Sequence, residues 1–395
     1  MASHPASTPL PAYHETLREE PDSHAVLKLV VAILGIAVGA MIPLGIWLAA
    51  SAQHATHEAE VAAVRANVST PGAGSVPGMA GTTAQGGSYA TPSFAGIAPA
   101  NADALAMKHA AYPAKLPAAP AGPVAHVRLT IRHRVVSIAP GIRYDAWTFG
   151  DSAPGPVIHV RQGQKVDVTL VNGAPMAHSV DFHAAQIAPN RAFTDVLPGK
   201  SKRFSFVAST AGVFMYHCGT APAFMHIANG MYGAIVVEPR NLPPAQRQYV
   251  LVSSEWYLNS PGLKTPASLD LTKADDMTPD WVTWNGYAAQ YKTHPLTAMP
   301  GDTVRFWVVD AGPSLNTDFH VVGAVLSRAW INQDMVDRPQ HGIQTALVPA
   351  GGGGVFDVHV AKRGIYPFVS HSFASVNMGE VGLLNVGNVP GTMNH

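Results

Sequence analysis

Charge is the first scarcity in this chain. Its 395 residues carry 25 Lys and Arg against 25 Asp and Glu, so the net charge is zero and charged residues make up 13%. No basic block offers nucleic acid a counterion-releasing surface, and no acidic run marks a solvating tail, so no nucleic-acid partner is expected. Cysteine is scarcer still, because Cys218 stands alone. One thiol closes no internal disulfide and builds no multi-cysteine zinc cage. Histidine, with 19 copies, is the abundant metal-binding side chain, so metal chemistry here must rest mainly on imidazole.

One long run contains no charge at all: Leu29 to Ala50, LVVAILGIAVGAMIPLGIWLAA. At about 1.5 Å per residue, such a helix crosses a bilayer core of roughly 30 Å. Arg18 and Lys28 precede it and no Lys or Arg follows until Arg65. By the charge rule, residues 1–28 are then cytoplasmic, 29–50 form a single-pass anchor in a bacterial inner membrane, and the remainder lies in the periplasm. A cleaved signal peptide is the alternative, with LAASA as its cleavage site. Both readings export the body. Residues 51–123, rich in Ala, Gly, Pro and Ser, lack the apolar content for a core and read as a flexible linker with a reach of about 40 Å.

From Val124 the texture changes to short, β-branched, alternating segments separated by Gly and Pro turns, the pattern of an antiparallel β-sandwich. HVRLTIRHRVVSI, GPVIHVRQGQKVDVTLVN, KRFSFVAS and GAIVVEP form a first set. QYVLVSSEWYL, DTVRFWVVDAG, GGVFDVHVA and GEVGLLNVG form a second. The sets read as copies, giving domains at 124–240 and 241–390 and a tail at 391–395. SVDFHAA aligns with NTDFHVVG, and GVFMYHC with GIYPFVSHS. His183 then matches His320, His217 matches His371, and Cys218 matches Ser372.

Side chains on a strand alternate between faces. His178 therefore parts from Asp181 and His183, and Cys218 parts from His217. The face holding His178 and Cys218 gains His226 and Met231 from the following turn, in the spacing Cys-x7-His-x4-Met. Two imidazoles, a thiolate and a weak thioether are the ligands of a blue-copper electron-transfer site. A lone cysteine is more often an ordinary buried residue, but four ligand types in this order outweigh that reading. The other face holds Asp181, His183 and His217, too few for a closed site. His371, the counterpart of His217, supplies a third imidazole and leaves a position open, from another copy of the chain where symmetry brings the faces together. The peptide step from Cys218 to His217 would then join the two metal sites.

The ordered run HSVDFH, YHC, HIANGM, DFHVVG and SHS, with PGPVIHVRQGQKVDVTLVN ahead of it, resembles the two-domain copper-containing nitrite reductases over about residues 124–390. The resemblance implies an all-β fold of two tandem cupredoxin-like Greek-key β-sandwich domains, here preceded by one transmembrane helix and a flexible linker. It implies two coppers per chain: type 1 on His178, Cys218, His226 and Met231, and type 2 on His183, His217 and, across a homotrimer, His371. Asp181 and His320 match the family's acid–base pair. Val322 matches the apolar pocket position, and Thr345 the hydroxyl partner of the catalytic histidine. Gln344 stands where a glutamate is frequent, Val325 replaces a further histidine, and the Cys218–His226 loop is one residue short with Met225 in place of an aromatic.

The expectation is one-electron reduction of nitrite to nitric oxide, with electrons from a cupredoxin, a cytochrome c or a membrane quinol. A laccase-like multicopper oxidase needs paired His-x-His motifs, and the chain has none. Another small nitrogen or oxygen substrate on the same scaffold, or a membrane-tethered electron carrier using the sulfur site alone, are the remaining readings. Copper counts of two, four or one per chain separate reductase, oxidase and carrier.

Overall fold

A computed structural model describes residues 91–331, 335 and 338–390. Eighteen strands appear among them. The first eight are β1 (Val124–Ala139), β2 (Ile142–Phe149), β3 (Ile158–Arg161), β4 (Lys165–Asn172), β5 (Asp181–Phe182), β6 (Ser201–Val207), β7 (Gly212–His217) and β8 (Tyr232–Glu238). They form two four-stranded sheets, ordered β2-β1-β4-β6 and β3-β8-β7-β5. The others are β9 (Arg247–Trp256), β10 (Trp281–Trp284), β11 (Leu296–Ala298), β12 (Asp302–Asp310), β13 (Thr317–Val321), β14 (Leu326–Trp330), β15 (Thr345–Val348), β16 (Gly353–Val360), β17 (Gly364–Ser370) and β18 (Val381–Val386). These form two five-stranded sheets, β10-β9-β12-β16-β14 and β11-β18-β17-β13-β15.

The two halves share one plan. β1 pairs antiparallel with β2 and parallel with β4, just as β9 pairs antiparallel with β10 and parallel with β12. β3 runs parallel to β8, and β11 to β18. The expectation of an antiparallel sandwich is therefore corrected in part, since most neighbouring strands are antiparallel but these four pairs are parallel. Half-buried alternation looks the same whichever way a neighbour runs, and the crossovers alone decide direction. Register repeats as well. Asp181 lies opposite His217, and Asp318 accepts the His371 backbone N–H at 2.6 Å one step beyond the Phe319–Ser370 pair.

A further correction concerns the chain before β1. Residues 91–123 do not behave as a free tether, because the body supplies partners for their polar groups. Phe94 N–H donates to Asp280 Oδ1 at 2.7 Å and Tyr112 N–H to Gln290 Oε1 at 2.8 Å. His109 stacks on Tyr287 with ring centres 3.7 Å apart, and Gln164 Nε2 donates to the Pro120 and Gly122 carbonyls. Small residues and prolines with weak side-chain signal can still dock through main-chain bonds, which composition does not report. The expected anchor at 29–50 lies outside the described residues. Among the described residues no helix is long and apolar enough to cross a membrane.

Apolar clusters fill each half and also the seam between them. One seam cluster combines Val213, Met215, Tyr232 and Val236 with Val250, Val252, Trp307, Val309 and Val355. β7 is thus buried on both faces. Phe214 and Tyr216 enter the core of the first half, while Val213 and Met215 enter the seam.

The second half buries an acidic trio, Glu255, Asp310 and Glu380. Burial, with Glu255 adding to it, pushes the Glu380 carboxyl up to about 7 against the hydroxyl donors Ser253, Thr317 and Ser370. The folded state therefore keeps a proton that the unfolded chain has released above its ordinary value of 4.5. Stability from this group should be full below that value and fall as pH rises through about 7, by roughly 3 kcal/mol. Thermal midpoints measured at pH 5 and pH 8 should show a smaller drop for Glu380→Gln than for the wild type.

Candidate metal centres

The alternation of β7 continues one residue beyond the strand and sorts two clusters. Cys218 follows Phe214 and Tyr216 into the first-half core, fully buried. His217 follows Val213 and Met215 to the other face. Upstream the same rule holds: Val180 and Phe182 are buried with His178, while Asp181 is half-buried and His183 exposed.

In the buried cluster, His178 is held by a two-way backbone bridge to Val196. His226 sits on the short helix Ala223–Ala228, and Met231 follows it, fully buried. His178 Nδ1 lies 3.0 Å from His226 Nδ1, and Cys218 Sγ lies 3.2 Å from His226 Nδ1 and 3.9 Å from His178 Nδ1. The Ser179 N–H donates to Cys218 Sγ at 3.4 Å, and the Cys218 N–H donates to the Met231 carbonyl at 3.0 Å. The second bond ties the thioether residue's backbone directly to the cysteine. Burial, then His226 and His133, push His178 down to about 3, and burial lowers His226. Both rings are neutral at ordinary pH, with lone pairs to give. Two nitrogens and one sulfur crowd a single point with no carboxylate present. That donor set is soft, and it fits a copper that cycles between Cu(I) and Cu(II).

The second cluster joins Asp181, His183 and His217, whose ligand atoms all lie within 4.8 Å of one another. His183 Nδ1–H donates to the Gly351 carbonyl at 3.0 Å, and His217 Nδ1–H to the Cys218 carbonyl at 2.8 Å. As metal ligands the two rings would carry their single N–H on Nδ1 and leave both Nε2 atoms bare. They face each other at 3.1 Å, where two lone pairs repel unless a cation lies between them. Asp181 Oδ2 is 4.0 Å from His217 Nε2. Copper fits this arrangement too: two neutral imidazoles fixed through their far nitrogens, with room for a third.

His371 is exposed and lies elsewhere in its own chain, 5.4 Å from His320 and 5.3 Å from Phe373 between ring centres. His320 Nδ1–H donates to the Gln344 carbonyl at 2.6 Å, and Thr345 stands opposite His320 in the β13–β15 register. The Gln344 main chain, rather than the Thr345 hydroxyl, is the partner recorded for that nitrogen. Val322 is 39% exposed and lines a cleft of about 690 Å³ with Phe373, Val369 and Trp281. Val325 is exposed nearby in sequence, and Met225 lies half-buried beside His226 on the short helix.

Three groups escaped the sequence reading. Gly351 orients His183 through a carbonyl, which side-chain identity never reveals. His133 and Trp147 border the buried cluster because they lie directly opposite each other across the β1–β2 hairpin. Their equal separation from Pro140 carried that signal, but it is readable only once the hairpin is assumed.

The multicopper oxidase family profile matches residues 130–242. A copper-containing nitrite reductase of Neisseria meningitidis serogroup B is 34% identical over 282 residues, covering 70% of this chain and 70% of that protein. One of Alcaligenes xylosoxydans is 30% identical over 286 residues, covering 66% of this chain and 86% of that protein. Among solved structures, a copper nitrite reductase of Nitrosomonas europaea superposes with a TM-score of 0.62 at 32% identity, covering 67% of this chain and 94% of that one.

Proposed function

We propose a residue-by-residue assignment from one premise: this chain belongs to the copper-containing nitrite reductase family. It is an oxidoreductase that uses copper and adds one electron and two protons to nitrite, giving nitric oxide and water. In this reading His178, Cys218, His226 and Met231 hold the type 1 copper of the domain 124–240. His183 and His217, with His371 of the partner subunit, hold type 2. When bound, the first supplies single-electron transfer and the second a Lewis acid for nitrite oxygen.

The observation that carries the assignment is the sorting of β7: adjacent residues deliver a sulfur to one donor cluster and an imidazole to the other. The Cys218–His217 peptide is a covalent bridge between the clusters. The Gly351 and Cys218 carbonyls lock the rings of His183 and His217, so the open face is defined before substrate arrives.

Protons come from Asp181 and His320. Asp181 lies among the type 2 ligands, whereas His320 lies beside His371 on the domain 241–390. If His371 crosses a subunit interface, His320 crosses with it. The acid–base pair then exists only between chains, one group on each side of the substrate. Gln344 sets the His320 ring through its carbonyl and Thr345 flanks it. Val322 and Phe373 supply apolar surface at that face.

This split calls for an oligomer in which one chain holds two imidazoles of the site and a neighbour holds the third, and the assignment takes it to be a homotrimer. An anchor at 29–50 would tether the enzyme to the bacterial inner membrane with its body in the periplasm. Its donor would then be a cupredoxin or cytochrome c, or a membrane quinol. Turnover of the detergent-solubilised full chain with each reductant in turn separates the donors.

The test of the assignment is two coppers per chain together with nitric oxide release from nitrite by the same full-length sample. His320→Leu should keep both coppers and lower kcat about 10²-fold or more, as loss of a proton donor does. Asp181→Asn should do the same. Undiminished nitric oxide production by His320→Leu would remove it from the proton route.

A further inference from the structure

Resting on the type 1 assignment above, we propose that His133 is a positioning residue for that centre, accepting the hydrogen bond that holds His178 in its ligating tautomer. His133 Nε2 lies 3.3 Å from His178 Nε2. The His178 Nδ1 atom is the one turned toward Cys218 and His226, so as a ligand it is bare and the ring's single proton sits on Nε2. That Nε2–H must donate. His133 Nε2 is therefore the acceptor, and His133 carries its own proton on Nδ1.

The fold holds His133 to this task. It lies opposite Trp147 in the β1–β2 register, which puts both side chains on one face of the sheet. The two rings stack at 5.1 Å with a 9° interplanar angle. Trp147 in turn meets both imidazoles at steep angles, with ring centres 5.5 Å from His178 and 4.9 Å from His226. Its backbone N–H donates to the Asn229 carbonyl at 2.9 Å, so the same strand also pins the turn between His226 and Met231. His133 is half-buried and His178 fully buried, so the stack roofs the cluster against water.

An acceptor behind a metal-bound imidazole makes it a stronger donor, and the more highly charged Cu(II) benefits more than Cu(I). His133 therefore favours the oxidised state and lowers the reduction potential of this centre. His133→Phe keeps a ring to stack on Trp147 and removes the acceptor. His133→Gln brings an amide oxygen to about the same place.

The test is redox titration of the type 1 absorption in the copper-loaded full chain. His133→Phe should weaken Cu(II) relative to Cu(I) about tenfold, an upward shift of about 59 mV for one electron. His133→Gln should stay near the wild-type potential. Type 2 copper content should not change in either variant. An unchanged potential in His133→Phe, or loss of the absorption in both variants, overturns the proposal. Absence of thiolate-to-copper absorption in the wild type would instead defeat the ligand assignment beneath it.

Discussion

Two variants that are each inactive, His183→Ala and His371→Ala, are expected to recover about a quarter of wild-type nitric oxide production when co-expressed and assembled together. His183→Ala removes one imidazole from the Asp181–His183–His217 cluster, and His371→Ala removes the one that a neighbouring chain would provide in the proposed assignment. In a ring of three, every mixed trimer contains one interface that pairs an intact His183 with an intact His371 of the partner subunit. Random equal mixing then leaves about one site in four complete. Both side chains are exposed in the single chain, so neither substitution excavates a core and folding should survive. Type 2 copper should fall to near zero in each variant alone and return in parallel with activity. Mixed trimers verified by mass that show no recovered turnover would sink the intersubunit site. So would His371→Ala retaining its type 2 copper.

The parting of His217 from Cys218 is legible in the sequence because the signal behind it is short-range. A period of two over GVFMYHC is enough to send His217 and Cys218 apart, and the core and seam memberships of Phe214, Tyr216, Val213 and Met215 bear out that division. The internal repeat was equally legible, and the matched Asp181–His217 and Asp318–His371 pairings carry it down to register. What stayed hidden depends on main-chain groups and crossovers. The Gly351 carbonyl that orients His183 comes from 168 residues away in a loop with no distinguishing side chain. The parallel pairs β1–β4 and β3–β8 leave no mark on alternation. Residues 91–123 looked like tether because docking through backbone donors and acceptors needs no apolar pattern. His133 sat inside a correctly read strand, but strand periodicity names a face and not the partner waiting on it.

Replacing Cys218 should separate substrate binding from electron supply more sharply than any other change. In Cys218→Ser the sulfur that lies 3.2 Å from His226 Nδ1 is lost to a hydroxyl, a harder and weaker copper ligand in a fully buried site. The thiolate-to-copper absorption should vanish and copper should fall from two per chain toward one. The neighbouring centre is expected to persist, because His217 Nδ1–H donates to the main-chain carbonyl of residue 218, which serine retains. His183 keeps its bond to Gly351 for the same reason. Nitrite should therefore still bind, while turnover driven by a protein donor drops at least about 10³-fold, roughly 4 kcal/mol in barrier terms. A small reductant able to reach the open centre directly should restore part of the rate. Full turnover with a protein donor at one copper per chain would mean that electrons never needed the cysteine, and the covalent bridge to His217 would lose its function.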